Sequence, residues 1–352
     1  MTTDSDESRA MLEDSFRALL FDRVAAEDRD ALPAAAQRQI AAGSLTRFAM
    51  RRPGIASVTL SDVAPADTPP LTIIEIVNDD MPFLLASTLA ELTERGLAMR
   101  LVAHPILAVR RDQEGRLTAL GGLASGGEAG SMSRESLIHI HLAQLPQGAD
   151  RDSLSAALAA IHADARLAVT DWQPMRETLA AVARRYRETP PLLPADEIAE
   201  AVQFLDWLLS DNFSFLGLRE YRLDPATGTL ATGVGLGILT DPERKVLRRG
   251  DTYADMTDEV SAFLASPAAL IITKTNRRST IHRRVHMDYV GVKLVDEMGR
   301  LAGELMLVGL FTATAYTGST RLIPYIRHKV AQVLLRAGFD PASHSGKALI
   351  NV

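Results

Sequence analysis

The hydrophobic pattern changes its period twice in the first third of the chain. Residues 71–77 form a continuous β-rich apolar run that ends at the polar residues Asn78, Asp79 and Asp80. Apolar residues then recur at helical spacing over residues 83–92, and a second strand-like run covers residues 97–104. The pattern therefore predicts a strand, a tight polar turn, a helix that starts at Pro82 and a second strand, which together form a compact βαβ module.

A second set of elements of the same kind follows this module. Residues 135–145 alternate as a strand, residues 152–167 have helical spacing, and residues 168–170 are short and β-like. Glycine-rich residues 121–133 are predicted to be a flexible excursion outside the core. Residues 71–170 thus read as β-α-β-β-α-β, the split βαβ or ferredoxin-like arrangement.

The C-terminal half predicts a second α/β unit after two amphipathic helices. Its expected elements are helices at 171–187, 195–210, 257–265 and 320–337 and strands at 213–223, 230–239, 269–275, 285–295 and 301–312. Mostly antiparallel strands with few helices favour a PAS-like or an ACT-like sheet. The predicted fold class is therefore α+β.

Composition narrows the classes of protein that this chain can represent. Its 352 residues are enough for two or three domains, and the absence of cysteine excludes disulfides and thiolate chemistry. A net charge of −6 argues against a dedicated nucleic-acid binder, and no apolar run reaches the roughly 18 residues of a membrane span. We therefore expect a cytoplasmic protein without nucleic-acid or membrane partners.

The first candidate site is the turn before the predicted helix. Backbone N–H groups at a helix N-terminus could hold the carboxylate of a small ligand, while Asp79 or Asp80 takes its ammonium group. The alternative is that one of these aspartates only caps the helix. The candidate effector-binding residues are Asn78, Asp79, Asp80, Met81, Pro82 and Phe83.

The second candidate is a polar face of the first sheet. His139 and His141 lie two residues apart on a strand and so share a face. By the same alternation Glu75 and Arg100 are expected on that face, with His104 near its edge. A metal site would need three converging ligands. The alternative, which we favour, is an open polar face or one that makes subunit contacts, and we predict no metal.

Three further features have weaker chemical meaning. The strongest basic cluster, which could bind phosphate or an acidic surface, contains Lys274, Arg277, Arg278, His282, Arg283 and Arg284. A solvated or salt-bridged loop is the alternative. Residues 233–237 (GVGLG) lack the third glycine of a dinucleotide loop and read as a strand or turn. Lys293 is the most plausible lone catalytic-type lysine, but a lysine on a strand is more often at the surface.

Many ordered segments resemble the N-terminal part of the large bacterial NAD-dependent glutamate dehydrogenases. The similar stretches are NDDMPFL at 78–84, RGL at 95–97, HP at 104–105, ESLIHI at 135–140, DW at 171–172, FSFLG at 213–217, KTNRRST at 274–280, MDYVGVK at 287–293, GLFT at 309–312, IP at 323–324, GFD at 338–340 and HSGKAL at 344–349. The resemblance covers residues 45–352.

The resemblance implies a regulatory segment that carries ACT-type and PAS-type domains and helical motifs. Its implied divisions are an N-terminal helical segment at 1–65, an ACT-like domain at 66–170, a helical linker at 171–211, a PAS-like domain at 212–318, and a C-terminal helix with the start of a further region at 319–352. Substrate lysines and the NAD-binding domain would lie outside this chain, so we expect no cofactor in this segment.

One position departs from the ACT pattern. ACT domains that bind amino acids commonly place a glycine directly after the proline of the strand–helix turn, whereas this chain has Phe83 after Pro82. The resemblance thus implies either an amino-acid sensor or a segment that contacts neighbouring subunits and its own catalytic region in a homo-oligomer. The alternative is a pure assembly scaffold without a small-molecule ligand.

Overall fold

The structure, a computed structural model, describes residues 3–66, 68–124, 132–224, 226, 229–249, 252–254, 257–340 and 343. These residues form a mixed α+β protein with two large antiparallel sheets. The chain divides into two compact units, one of Met1–Ala165 with Thr280–Arg283 and one of Arg166–Ser279 with Arg284–Val352. None of the helices in the described ranges is long and apolar enough to cross a lipid bilayer.

The first unit contains the opening helices and the βαβ module. Its elements are α1 Thr3–Phe21, α2 Ala26–Asp30, α3 Ala34–Phe48, β1 Ser57–Val63, β2 Leu71–Asp79, α4 Leu84–Glu94, β3 Met99–Ala103, β4 Ile106–Arg111, β5 Leu117–Leu123, β6 Ser133–Ala143 and α5 Ala149–Thr170, whose last residues belong to the second unit.

The six strands of this unit form one sheet, in which five follow the order β1-β2-β6-β4-β5 and β3 also pairs with β6. β3 and β4 pair with successive parts of β6, and the sequence His104-Pro105 separates them. Because β6 is antiparallel to both β2 and β3, those two strands are parallel, and α4 connects them across the strand between. The predicted strand, helix and second strand of the module are therefore present as β2, α4 and β3.

The predicted last strand of this unit is wrong. Residues 168–170 are the end of α5, because Ile161, Ala165 and Ala168 continue one buried helical stripe through them. The edge position beside β2 is taken by β1 instead. The glycine-rich excursion predicted at residues 121–133 is shorter than expected, because residues 121–123 belong to β5 and Ser133 begins β6. Residues 125–131 of this prediction lie outside the described part.

Helices cover both faces of this sheet. On one face α1 and α3 join an apolar cluster in which Phe48 and Ile73 are buried. On the opposite face His162 of α5 hydrogen-bonds with Asn78 of β2 at 3.2 Å and with Thr88 of α4 at 3.0 Å. β2 is consequently buried along both faces, which explains its continuous apolar sequence.

The second unit contains the remaining elements. They are α6 Trp172–Glu188, α7 Ala195–Trp207, β7 Phe213–Leu223, β8 Leu230–Gly237, β9 Leu247–Arg249, β10 Thr252–Ala254, α8 Asp258–Ala265, β11 Leu270–Arg278, β12 His286–Val295, β13 Leu301–Phe311, α9 Ala313–Thr317 and α10 Ile326–Arg336, with a single π-helical turn at Leu208–Asn212 and a 3-10 turn at Thr320–Leu322.

The large sheet of this unit has the order β11-β12-β13-β7-β8. One face packs against α6 and α7 in an apolar cluster that includes Leu179, Phe204 and Leu307. On the opposite face Arg219 is buried, and its guanidinium donates to the carbonyl oxygens of Leu239, Asp241, Pro242 and Arg244 at 2.5–3.4 Å. The Arg219 side chain therefore connects the segment that follows β8 to the sheet through hydrogen bonds.

Two sequence predictions for this unit have clear outcomes. The GVGLG run is part of β8, as expected of a strand, and a Cβ at Gly235 would lie 2.0 Å from the carbonyl oxygen of Leu239. The glycine therefore permits a close backbone approach. The closing helix was predicted too long, because Pro324 lacks an N–H donor and the helix begins only at Ile326.

Candidate functional site

Arginines neutralise the acidic turn after β2. Arg51 Nη2 lies 2.6 Å from Asp79 Oδ1, and the N–H of Gly54 donates to the second carboxylate oxygen at 3.1 Å. Arg134 Nη2 lies 2.9 Å from Asp80 Oδ2. Both carboxylates predicted to take an ammonium group thus already have cationic partners within the first unit.

The helix begins two residues later than expected. Phe83 is the N-terminal flanking residue of α4, with a left-handed φ of +76° and no capping side chain, so neither Asp79 nor Asp80 caps the helix. Ser87 Oγ donates to the Phe83 carbonyl at 2.7 Å and accepts the N–H of His282 at 2.8 Å. His282 belongs to the tetrapeptide included in the first unit, and its ring centroid lies 5.6 Å from that of Phe83.

The predicted open histidine face is not open. His139, His141 and Glu75 are buried on the face that α1 and α3 cover. His139 Nδ1 lies 3.0 Å from Glu75 Oε1, and the two histidine Nε2 atoms are 2.8 Å apart. Arg47 of α3 pairs with the same glutamate. The alternation correctly placed these three strand residues together, but the helices that bury them made the prediction of an open face wrong.

Electrostatics in this cluster favour a buried, charged glutamate. Burial raises the pKa of Glu75, but hydrogen bonds and positive charge from His139 and Arg47 outweigh it and lower the pKa to about 2. Burial and the positive charge of His139 lower the pKa of His141 to about 3. The cluster therefore holds a charged glutamate that pairs with Arg47, and a neutral imidazole at His141.

Two predicted members of this face lie elsewhere. Arg100 is exposed because the β3–β6 register is irregular between Met99 and Leu101. His104 Nε2 hydrogen-bonds with Ser136 Oγ at 2.8 Å, and Ser136 alternates with Ile138 on the opposite face. Within the ranges that the structure describes, no group of three or more His, Cys, Asp or Glu side chains is arranged to hold a metal ion.

Internal contacts engage much of the basic cluster. Lys274 Nζ lies 2.5 Å from Asp288 Oδ1 and 2.9 Å from the Tyr316 hydroxyl. Arg277 Nε donates to the Lys245 carbonyl at 2.6 Å, and Arg278 Nε donates to the Arg284 carbonyl at 3.0 Å. Arg283 belongs to the tetrapeptide of the first unit. These contacts match the salt-bridged-loop alternative more closely than a phosphate site.

Lys293 is not at the surface, which contradicts the expectation for a strand lysine. Its side chain is buried at 4% exposure, donates to the Ser266 carbonyl, and has its ammonium nitrogen 5.2 Å from the Phe263 ring centroid. Burial lowers its pKa to about 8, and the negative charge of Glu197 acts in the opposite direction. The printed acceptor of this ammonium group is a neutral carbonyl, and no described carboxylate forms an ion pair with it.

Sequence reasoning missed the pair of acids that face each other at the end of β2 and near the start of β6. Asp79 is the register partner of Glu135, which accepts hydrogen bonds from Arg51 at 2.8 Å and from Arg111 at 2.7 Å. Knowledge of the register would have shown two carboxylates in direct opposition, a pairing that is unfavourable without neighbouring cations. The strand pairing was the missing information.

Comparisons with known proteins identify the relationship of the chain. Residues 16–158 match the family described as "Glutamate dehydrogenase, ACT1 domain", and residues 323–352 match "Glutamate dehydrogenase, helical motif 1". Two relatives named "NAD-specific glutamate dehydrogenase" are similar over 80% of this chain: one from Halomonas elongata is 34% identical over 288 residues, and one from Pseudomonas aeruginosa is 31% identical over 290 residues.

The chain spans 18% and 17% of the lengths of those relatives. Among solved structures, "Structure of an RNA-binding Light-Oxygen-Voltage Receptor" aligns with 92% of this chain and 90% of its own, at 10% identity and a TM-score of 0.18, which supports no conclusion about fold or function. The ACT1 match includes the end of α1, all of α3 and the strands they cover, and it lies within the first unit of the structure. The chain belongs to the NAD-specific glutamate dehydrogenase family.

Proposed function

We propose that this chain is a non-catalytic, N-terminal regulatory and oligomerisation segment of an NAD-dependent glutamate dehydrogenase. The full-length cytoplasmic enzyme would convert L-glutamate, NAD+ and water to 2-oxoglutarate, ammonium and NADH. The first unit would act as an ACT-type domain that senses an amino acid or contacts neighbouring subunits. NAD and substrate would bind in the catalytic region outside this chain.

The topology supports both domain types. The parallel β2 and β3 with β6 between them fit a ferredoxin-like ACT domain, although β1 occupies the edge position that residues 168–170 were expected to fill. In the second unit, numbering its five large-sheet strands along the chain gives the spatial order 2-1-5-4-3 when read from β8. That order favours a PAS-like domain over a second ACT-like domain.

The observation that carries the proposal is the ACT1 match on a unit whose acidic turn is internally neutralised. Asp79 and Asp80 are bound by Arg51 and Arg134, and Phe83 fills the position at which amino-acid-binding ACT domains commonly have glycine. Because these carboxylates already form ion pairs, they favour a role in conformational change or subunit contact over a role in catalysis. Regulation would then require an effector or subunit that binds two states of the whole enzyme with different affinities.

Three measurements on the 352-residue chain test the proposal. We expect no NAD reduction with glutamate, a concentration-dependent oligomer in sedimentation velocity, and a heat of binding from at least one amino acid in calorimetric titration. Turnover by the chain alone would contradict the non-catalytic assignment. Oligomerisation without heat from any amino acid would reject the sensor and leave the assembly scaffold.

A matched pair of variants locates any amino-acid site. If the amino acid binds at the turn, Phe83→Gly should tighten binding because it opens the position next to α4, whereas Lys274→Met, in the second unit, should leave the affinity unchanged. Equal affinities of the wild type and Phe83→Gly would place the site away from this turn.

A further inference from the structure

We propose that the second unit binds a small organic carboxylate with a short aliphatic tail in the pocket beside Lys293. This site lies outside the ACT1 match and does not depend on the proposed binding of an amino acid at the turn between β2 and α4. Its pocket has a volume of about 300 Å3, at the small end of the range for ligand sites. Aliphatic side chains supply most of its walls, and the lining includes Leu192, Leu193, Leu264, Val295 and Leu301.

Lys293 supplies the one buried cation of this lining. An ammonium group has three N–H donors, and Lys293 has one hydrogen-bond acceptor among the described residues, the carbonyl of Ser266. No described carboxylate lies within salt-bridge distance of its Nζ. Lysine is almost never buried without a partner, because desolvation of its charge is unfavourable. A ligand carboxylate would provide the missing negative charge and accept the remaining donors.

Two other charged groups near the pocket, Arg300 and Glu197, already have ion-pair partners. Arg300, at the pocket edge, forms an ion pair with Asp296 at 2.8 Å and its side chain is largely exposed. Glu197 is held by Lys329 at 2.8 Å and lies beyond ion-pair distance of Lys293. The electrostatic preference of the pocket for an anion is therefore set by Lys293.

The walls are fixed before any ligand arrives. The N–H of Leu192 donates to the Gly299 carbonyl at 3.0 Å, which joins the segment before α7 to the β12–β13 turn. Gly299 has φ of +76°, and a Cβ there would lie 2.7 Å from the Pro190 carbonyl oxygen. On the strand itself, the Tyr186 hydroxyl donates to the Lys293 carbonyl at 2.7 Å. Such a preformed site loses little conformational entropy when it binds a ligand.

The test uses calorimetric titration of the 352-residue chain with three probes. 4-Methylpentanoate has the charge and the aliphatic tail, 4-methylpentanamide lacks the charge, and acetate lacks the tail. We expect saturable one-to-one binding of 4-methylpentanoate and much weaker binding of the other two. Lys293→Met should raise the dissociation constant about tenfold or more, because it removes a charge-assisted hydrogen bond.

Two further variants control for folding and location. Leu192 is 76% exposed, so Leu192→Asp should leave the fold intact while its carboxylate repels the ligand at the pocket. Lys274→Met removes a lysine that does not line the pocket and should leave the dissociation constant unchanged. The proposal is overturned by absence of saturable binding, by equal affinity for the amide, or by unchanged affinity in either Lys293→Met or Leu192→Asp. If Lys293→Met does not fold, Leu192→Asp decides.

Discussion

Replacement of Glu304 by glutamine should stabilise the second unit at alkaline pH and not at acid pH. Glu304 is buried on β13 at 1% exposure; its Oε1 accepts the hydroxyl of Tyr289, and its Oε2 has no partner among the described residues. Burial raises the pKa of this carboxyl to about 7 from an ordinary 4.5, although the hydrogen bond from Tyr289 acts in the opposite direction.

The sign follows from proton binding. Between pH 4.5 and 7 the folded chain keeps a proton on Glu304 that the unfolded chain has lost, so the free energy of unfolding falls as the pH rises through this window. The difference between the ordinary pKa of 4.5 and the pKa of about 7 in the folded chain corresponds to a loss of about 3 kcal/mol of folding stability, which is complete above pH 7. Glutamine mimics the protonated acid, but its amide also leaves donors unsatisfied. We therefore expect Glu304→Gln to gain about 1–3 kcal/mol at pH 8 and little at pH 4.5.

Tryptophan fluorescence during urea unfolding measures this difference in the correct unit, because Trp172 and Trp207, the two tryptophans of the chain, both lie in the second unit. Glu297→Gln, at an exposed carboxylate on the turn after β12, is the matched control and should show no such pH-dependent gain. Equal stability of the wild type and Glu304→Gln at pH 8, or the same difference between them at both pH values, would refute the argument.

Substitutions at three other positions test other parts of the fold. Phe83→Gly should be more stable than Phe83→Ala by about 1 kcal/mol, because both lose the ring but only glycine adopts the left-handed backbone conformation without strain. Thermal unfolding followed by circular dichroism measures the difference. A more stable alanine variant would contradict the prediction. Glu75→Gln should destabilise the first unit by about 3–5 kcal/mol at pH 7, since it leaves Arg47 without its buried partner. Because the pKa of Glu75 is lowered to about 2, the wild type should lose this stability as the pH falls from 4.5 to 2, whereas the variant should not. Hydrogen exchange of the β2 amides measures the stability of both proteins. A parallel loss in the variant would count against the ion pair. Lys293→Met should stabilise the second unit by about 3 kcal/mol below pH 8. The gain should vanish as the pH rises from 8 to 10.5, because in that range the folded wild type has released a proton that the unfolded chain still binds. Urea unfolding followed by tryptophan fluorescence measures this gain, and a gain that does not change with pH would exclude this cause.

Local patterns predicted the elements well, and contacts between distant segments limited the rest. The runs that became β2, α4, β12 and β13 carry their own periodicity, so their positions follow from the sequence to within a few residues. Residues 168–170 were assigned to a strand because three residues are too few to show that they continue the helical stripe of α5.

The candidate sites show the same limit. Alternation correctly placed His139 and His141 on one face, because residues two apart on a strand share a face. That Glu75 lies opposite His139 depends on the register of β2 and β6. Alternation failed for Arg100, where a register irregularity breaks it. Burial of Lys293 depends on Ser266 and Phe263, which are more than twenty residues away along the chain. The sequence next to the lysine therefore contains no pattern that would predict its burial.

These placements bear on where an effector would act. At the ACT-type turn, an incoming ammonium group would compete with Arg51 for Asp79, and Arg51 also binds the buried Glu135. Displacement of that arginine would leave a buried carboxylate with one cation fewer, which is unfavourable. At Lys293 the balance is reversed, because the buried charge lacks an acidic partner and a ligand carboxylate would supply one. Under these two proposals, we therefore expect a carboxylate effector to bind beside Lys293 rather than an ammonium group beside Asp79, and we propose subunit contacts as the role of the turn between β2 and α4.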